Sequence, residues 1–599
     1  MHSIKHKFPD WFVLDSKKNH PDMISARIKP QNPSANLKSY YEACRNFSWS
    51  KLEDHFTSIR SGSCNIVSQM IDRWVLDEQR AHKPGFIFVA DGDDGSFTYF
   101  MLKEYSCRLA NLLVSHGLEK GDRLVINLAP CSKMYLMMLA CARIGVIFSV
   151  VDAGLGTDAL DHMLLDIKPK AILTDLLTAP IFDTVTYKKF DKVFVVGSEN
   201  TLVFDNEILI DDLIGQYEPE FPAREFAPDT PLFIVYISGA TSAPKGVTHS
   251  HRIMLGAFAT ARYVLDLNQD SVFWSDADPS TMVGIVYGCF APWLCGATAV
   301  TLGIPFSPSA CCLALERLGV SVWLTNPLNL EKLKLGGDDL SAGYDFSKLS
   351  HIVSLGKNLD PEMFYWVKDK FKVGPHDSWA MTEAGMICLA NYPSEQIKLG
   401  SMGKPFPGLE ARIIDEKGEE LPILTLGELA FRANWPSLML GIWNSDSRTQ
   451  AYYRDGWFLT GDLALKDEDG YYYHHGRRDD LLRVGCKCVG PYLIEIVMRK
   501  HSAVDDVAVI LKRGVGDDAF FKAYVKTKNG ESPSAELSES LLRFVKSSMN
   551  EEIPVQEIEF VKELPRSSNG KVLRRVLSAW DLGLPTGDYS KLSGCATEI

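Results

Sequence analysis

The chain has 599 residues, 46% apolar and 23% charged, with a net charge of −13. Length and composition are those of an ordinary globular protein of enzyme size with about two to four domains, and the negative charge argues against a nucleic-acid partner. Thirteen cysteines without a periodic framework point to reduced thiols and a cytoplasmic setting.

The N-terminus, MHSIKHKFPDWFVLDSKKNH, lacks an apolar core of signal-peptide length. Residues 1–90 are polar and irregular and read as an extension packed on a larger domain, with helices expected around Leu37–Arg60 and Asn65–Glu78. From Phe97 the pattern becomes α/β. Tyr99–His116 is an amphipathic helix that Gly117 is placed to end, and Leu124–Leu128 is a strand. Ser132–Ile144 follows as a helix and Val146–Val151 as a strand. The apolar stretch Tyr135–Val151 is broken by Arg143 and Gly145 and is short for a bilayer, so no membrane span is expected. Ala171–Thr174, Lys192–Val196 and Leu232–Ile237 are further apolar runs bounded by turns. Helices alternating with such runs argue for largely parallel sheets covered on both faces.

After about Leu399 short strands and glycine turns dominate, as in Gly408–Asp415, Gly427–Arg432 and Gly470–His474, and a mainly β subdomain is expected. A final α+β unit starts near Asp479. Its strands are expected at Val504–Leu511 and Lys522–Lys526, its helix at Leu537–Met549, and a basic tail at Lys571–Arg575. The expected fold class is thus α/β: a large N-terminal domain of parallel-sheet layers plus a β subdomain, with a small mobile α+β C-terminal domain. The expected boundaries are 1–90, 91–478 and 479–599.

Residues Tyr236–Val247 read YISGATSAPKGV. An apolar run gives way to small and hydroxyl-bearing residues and then Lys245, which suggests a strand ending in a tight loop. Backbone N–H groups and hydroxyls of such a loop hold phosphate oxygens, with a cation close by. The spacing is not that of the G-x-x-x-x-G-K-[ST] nucleotide loop. It resembles the phosphate loop YTSGTTGxPKGV of the AMP-forming acyl-adenylating enzymes. Trp379–Gly385 (WAMTEAG), Gly456–Asp462 (GWFLTGD), Gly476–Pro491 (GRRDDLLRVGCKCVGP) and Pro565–Arg575 (PRSSNGKVLRR) are similar, in order and spacing, to four further motifs of that family. Asp278–Trp293, Gly400–Pro407 and Val576–Asp588 resemble its acetate–CoA ligase (acetyl-CoA synthetase) branch. The resemblance covers about Leu37 to Lys591.

The resemblance implies ATP-dependent activation of a small carboxylic acid as an acyl-AMP, then transfer to CoA, with Mg2+ required. The thiol acceptor is CoA or the phosphopantetheine arm of a carrier protein; a third reading keeps the fold as a non-catalytic binding protein. Lys571 is implied as the cation bridging carboxylate and α-phosphate, with Thr382 and Glu383 as its catalytic companions and Glu383 as the Mg2+ ligand. Ser238, Gly239, Thr241, Ser242 and Lys245 are implied to hold phosphates. Gly356, Asp377 and Trp379 belong to the nucleotide side, and Asp462 and Arg477 to the ribose. Asp479 is implied as the hinge, although Asp480 is equally placed on sequence grounds. Lys487 stands where the hinge motif usually has Arg, and Lys546 is a candidate contact for CoA phosphates.

Several positions depart from the family pattern. In the phosphate loop Ile237 replaces a usual Thr, Ala240 a Ser or Thr, and Ser242 a Gly. The adenine-side turn, usually GEP, is Gly356-Lys357-Asn358. Two tryptophans that wall the acetate pocket are replaced by Thr281 and Ala380. A deeper acyl pocket bounded by Thr281, Met282, Val283, Leu355 and Ala380 is expected, and an acid larger than acetate. At roughly 0.8 kcal/mol per buried methylene, three extra methylenes favour the longer acid by about fifty-fold. Met282 and Leu355 are the residues placed to refill that space. Alignment puts Met163 where relatives carry an Arg toward CoA. Cys486 and Cys488 lack two further ligands nearby for a zinc site.

Overall fold

A computed structural model describes residues 27–583, apart from 57–58, 60, 91–93, 154, 156, 176–189, 198–204, 238–243, 338–342, 479–481, 485–486, 490, 514–518, 529, 549–554 and 567–571. Local chemistry sets the element ends. Thr98 accepts from the Met101 N–H and opens the helix Tyr99–Ser115, and Gly117, at φ +84°, follows its end. The helix Ser132–Ile144 stops at Gly145, at φ +86°.

Of the two helices expected in the first 90 residues, that around Asn65–Glu78 stands as a helical run through Ser68–Asp72 and Arg73–Val75, whereas that around Leu37–Arg60 gives way to shorter helices. Ser39, Ser48 and Asp77 each accept a backbone N–H and start a new short helix, at Tyr40–Asn46, Trp49–Glu53 and Glu78–Ala81. Side-chain capping wins over a continuous apolar period. Pro84–Val89, inside the range read as an extension, is a strand paired in parallel with Thr298–Leu302.

Among the described residues, one sheet has eight strands in the order Gly441–Ile442, Lys245–Ser250, Pro231–Ile237, Ile147–Val150, Arg123–Asn127, Ala171–Asp175, Lys192–Val196, Glu207–Leu209. Its last six strands are parallel. A nine-stranded sheet has a parallel middle running Pro375–Met381, His351–Leu355, Val322–Thr325, Val272–Ser275, Thr298–Leu302, Pro84–Val89, with antiparallel strands at its ends. A five-stranded antiparallel sheet between Ala411 and Arg477 is the expected β subdomain. The small C-terminal unit pairs Val504–Arg513, Ala519–Thr527 and Val555–Phe560 beside the helices Pro491–Arg499, Ala535–Ser548 and Arg574–Asp581. No helix among the described residues is long and apolar enough to cross a membrane.

One apolar cluster runs through both large sheets and takes in Phe148, Val235, Phe273 and Ala299. The helix Ser132–Ile144 is buried on nearly every side, as its apolar run from Met134 to Ala142 requires. Arg143 on that helix is fully buried and needs a counter-charge. Asp72, from the N-terminal segment, meets it through two hydrogen bonds of 2.9 and 2.8 Å. Removing one partner of such a pair costs about 3–5 kcal/mol, whereas replacing both with apolar residues is close to neutral. Asp72→Ala should therefore lower the unfolding midpoint of the large domain sharply, and Asp72→Leu with Arg143→Met should restore most of it. Thermal and urea unfolding of the three variants checks the order.

Candidate active site

The strand Pro231–Ile237 and the strand Lys245–Ser250 pair antiparallel, with Lys245 opposite Ile237. Lys245 opens the second, returning strand. Ser238, Gly239, Thr241 and Ser242 lie outside the described residues. Gly246 leaves no room for a side chain, since a Cβ there would sit 2.8 Å from Ile234 and 3.1 Å from Trp443.

The returning strand holds the turn that carries Thr382 and Glu383. His249 donates from Nε2 to the Thr382 carbonyl at 2.8 Å, and Met439 donates its N–H to the Glu383 carbonyl at 2.9 Å. Gly385, at φ +68°, closes the turn against the Ser437 backbone, where a Cβ would come within 2.1 Å of the carbonyl oxygen. The buried Glu383 carboxylate accepts from the Tyr452 hydroxyl at 2.7 Å. Magnesium that arrives on nucleotide phosphates needs few protein oxygens, and the Glu383 carboxylate fits that demand. Among the described residues no group of three or more His, Cys, Asp or Glu forms a separate metal cage.

Gly356 turns the chain at φ +112° after the strand His351–Leu355. Asp377 supports this turn by accepting from the Leu359 N–H at 3.2 Å, and burial pushes its carboxyl up to about 7. Lys357, in place of the family's Glu, pairs with Glu331 at 3.2 Å. Trp379 stacks on Phe431 with ring centroids 5.7 Å apart and donates from Nε1 to Asp462 Oδ2 at 2.8 Å. Arg477 Nη1 donates to Asp462 Oδ1 at 2.8 Å, and His474 Nε2 lies 3.5 Å from Oδ2. Burial works against the Asp462 charge, but His474, Arg477 and Trp379 outweigh it and hold the carboxyl far below the usual range.

On the acid side, Thr281 spends its hydroxyl on the helix Met282–Ile285, accepting from the Gly284 N–H at 3.0 Å and donating to the Asp278 carbonyl at 2.7 Å. Met282 and Leu355 are sealed in the main core, while Thr281, Val283 and Ala380 keep part of their surface free. Met163 is buried with Val125, Leu160 and Ile172, so its place on the helix Thr157–Ile167 is a packing position and not a surface stripped of a CoA contact. Lys546 is exposed on the helix Ala535–Ser548, and Lys487 opens the short strand Lys487–Val489. Asp479, Asp480, Cys486 and Lys571 lie outside the described residues. The segment flanking Lys571 is nonetheless anchored: Arg566 bridges to Val572 and pairs with Asp506, and Arg574 bonds Glu495 at 2.6 Å.

Sequence reading missed His249, His474 and Tyr452. For the first two a signal exists in strand alternation, which puts His249 on the face of Val247 and His474 on the face of Gly476. Nothing near Tyr452 marks it as a partner of Glu383.

Residues 76–443 match the AMP-binding enzyme family, and residues 493–571 match the AMP-binding enzyme C-terminal domain. The acetyl-coenzyme A synthetase of Bacillus subtilis (strain 168) is 36% identical over 562 residues, which span 93% of this chain and 97% of the relative. That of Methanothrix thermoacetophila is 31% identical and covers 89% and 85% of the two chains. The anthranilate CoA ligase AuaEII in complex with anthranoyl-AMP shares the fold with a TM-score of 0.76 at 24% identity, over 87% of this chain and 98% of that one. ATP-bound MatB from Rhodopseudomonas palustris does so with a TM-score of 0.76 at 22% identity, over 87% and 100%.

Burial holds the His249 imidazole down to about 4, so it stays neutral in the fold. The unfolded chain takes up that proton from about pH 6.5 downward, and the stability carried by neutral His249 is lost as pH falls from 6.5 toward 4. At pH 5 the loss is about 2 kcal/mol. His249→Asn should therefore show a smaller drop in stability between pH 7.5 and pH 5 than the parent, by about that amount. Denaturant unfolding at the two pH values measures it.

Proposed function

The chain belongs to the AMP-binding enzyme family as an AMP-forming acyl-CoA synthetase, and we propose that its acid is larger than acetate. It uses ATP, Mg2+ and CoA. A carboxylate oxygen bonds to the α-phosphorus and pyrophosphate leaves; the CoA sulfur then bonds to the acyl carbon and AMP leaves. Negative charge gathers around phosphorus in the first step, so preorganised cations and N–H donors dominate the chemistry.

In our reading the hairpin tip, with Ser238, Gly239, Thr241, Ser242 and Lys245, cradles the phosphates. Asp462 and Arg477 receive the ribose; Gly356, Asp377 and Trp379 shape the nucleoside pocket. Lys571 brings its ammonium to the reacting oxygens from a small unit that turns about Asp479, and Lys487 and Lys546 face the CoA phosphates. Glu383 would hold magnesium, which offsets charge on the phosphates. The large unit runs to Arg478. The described cysteines are free thiols, most of them buried, which supports a cytoplasmic setting.

The observation that carries the larger acid is the commitment of Trp379. Its indole is held by Asp462 and Phe431 on the nucleotide side and has no freedom to wall the acid pocket. The next residue on the strand is Ala380, which keeps part of its surface free. Thr281, at the other ring position, keeps its hydroxyl in a helix cap. Val283, Ala380 and Thr281 are left as small or mid-sized boundaries with free surface.

Pyrophosphate release across acetate, butyrate, hexanoate and octanoate should show the highest kcat/KM at a chain longer than acetate. Ala380→Trp should move the optimum back toward acetate; a parent enzyme that prefers acetate overturns the proposal. Lys571→Ala should abolish pyrophosphate release with the fold intact by circular dichroism. Thioester formation with CoA, against a carrier-protein thiol, identifies the acceptor.

A further inference from the structure

Asp462 receives hydrogen from one residue that none of the family motifs contains. His474 sits on the strand Tyr472–Arg477 with Nε2 3.5 Å from Asp462 Oδ2. The Gly476 N–H donates to His474 Nδ1 at 3.4 Å. Nδ1 accepts there, which leaves Nε2, the atom that faces Asp462, as the donor of the ring. The backbone of the same residue reaches the other end of the nucleoside pocket: its carbonyl accepts from Asn358 Nδ2 at 3.3 Å. Asn358 stands where the family's turn has Pro, which has no side-chain donor. Ring and carbonyl of one residue therefore touch both Asp462 and the Gly356–Asn358 turn.

We propose that His474 is a positioning residue for the nucleoside, orienting the Asp462 carboxylate toward the ribose hydroxyls while fixing its distance from the adenine-side turn through Asn358. The proposal rests on the reading of Asp462 as the ribose acceptor. Arg477 alone fixes Oδ1, and a carboxylate held at one oxygen still rotates about its Cβ–Cγ bond. Trp379 and His474, arriving at Oδ2 from two different sheets, stop that rotation.

The test uses the full-length enzyme and pyrophosphate release, with ATP, 2′-deoxy-ATP and 3′-deoxy-ATP as nucleotides. His474→Phe should raise the KM for ATP about tenfold, in line with one hydrogen bond to a charged group, and the change should fall on KM and not on kcat. It should also shrink the preference for ATP over the deoxy nucleotides by a similar factor. His474→Gln, whose amide reaches the Nε2 position, should recover both values. If His474→Phe does not fold, His474→Asn, polar but too short to reach Asp462, carries the same expectation. A His474 variant that keeps the ribose preference overturns the proposal, as does one that weakens all three nucleotides equally, which is the mark of a structural role. Asp462→Ala separates the two levels. If it keeps the ribose preference, the reading of Asp462 falls. If it loses the preference while His474→Phe and His474→Asn keep it, only the inference about His474 falls.

Discussion

A charge buried between two sheets organises this molecule. Asp462 lies on the antiparallel strand Trp457–Lys466, and its donor Trp379 lies on the parallel sheet. Burial alone would protonate it; Asp377 shows the outcome, buried beside backbone N–H groups without a cation and pushed up to about 7. Asp462 differs only in its company. Arg477 and His474 come from the neighbouring strand and Trp379 from across the cleft, and together they keep the carboxylate ionised. The same contacts that keep it charged also hold the β subdomain at a fixed distance from the parallel sheet. The spacing between Trp379 and Asp462 is thus set by an electrostatic requirement.

The turn that carries Glu383 is fixed by a different device, hydrogen bonds reaching it from other segments. The turn Thr382–Ala384 has no long-range sheet ladder of its own. It is tied instead by the His249 ring, the Met439 N–H and the Tyr452 hydroxyl, which come from three separate segments. A group meant to meet developing charge gains most when it needs no rearrangement at the moment of reaction. Neutral, buried His249 suits this task because it donates a hydrogen bond without bringing a charge that would compete for phosphate oxygens.

Much of this was legible before any coordinates. Helices and strands whose apolar period is strong, such as Ser132–Ile144 and Lys192–Val196, stand where their sequences put them. Trp379 and Asp462, from two separate motifs, meet in a hydrogen bond of 2.8 Å. The illegible parts share a cause: they depend on contacts between segments far apart in the chain. The N-terminal helices break at serines whose capping power a hydrophobic count ignores. The lysine after the phosphate loop opens a strand, because the partner that makes it one, Pro231–Ile237, precedes the loop. Met163 looked like a lost charge and is a core residue, since only the packed sheet shows which face of its helix is inward.

The departures from the family pattern are best judged by what replaced each lost constraint. The adenine-side turn loses a proline, whose ring would have fixed φ, and gains Asn358, whose amide fixes the same turn from outside by bonding to His474. It loses a glutamate and gains Lys357, which finds Glu331 on the helix Pro327–Leu335. Ile237 gives up a hydroxyl at the edge of the phosphate loop, yet it is the last residue of a strand and pairs with Lys245, where a β-branched side chain is well suited. A site under decay would shed such constraints without replacement and leave polar groups unanswered. Here the turn that departs most is held by two new contacts, Lys357 with Glu331 and the Asn358 amide with the His474 carbonyl, and the ring of the same histidine lies 3.5 Å from Asp462.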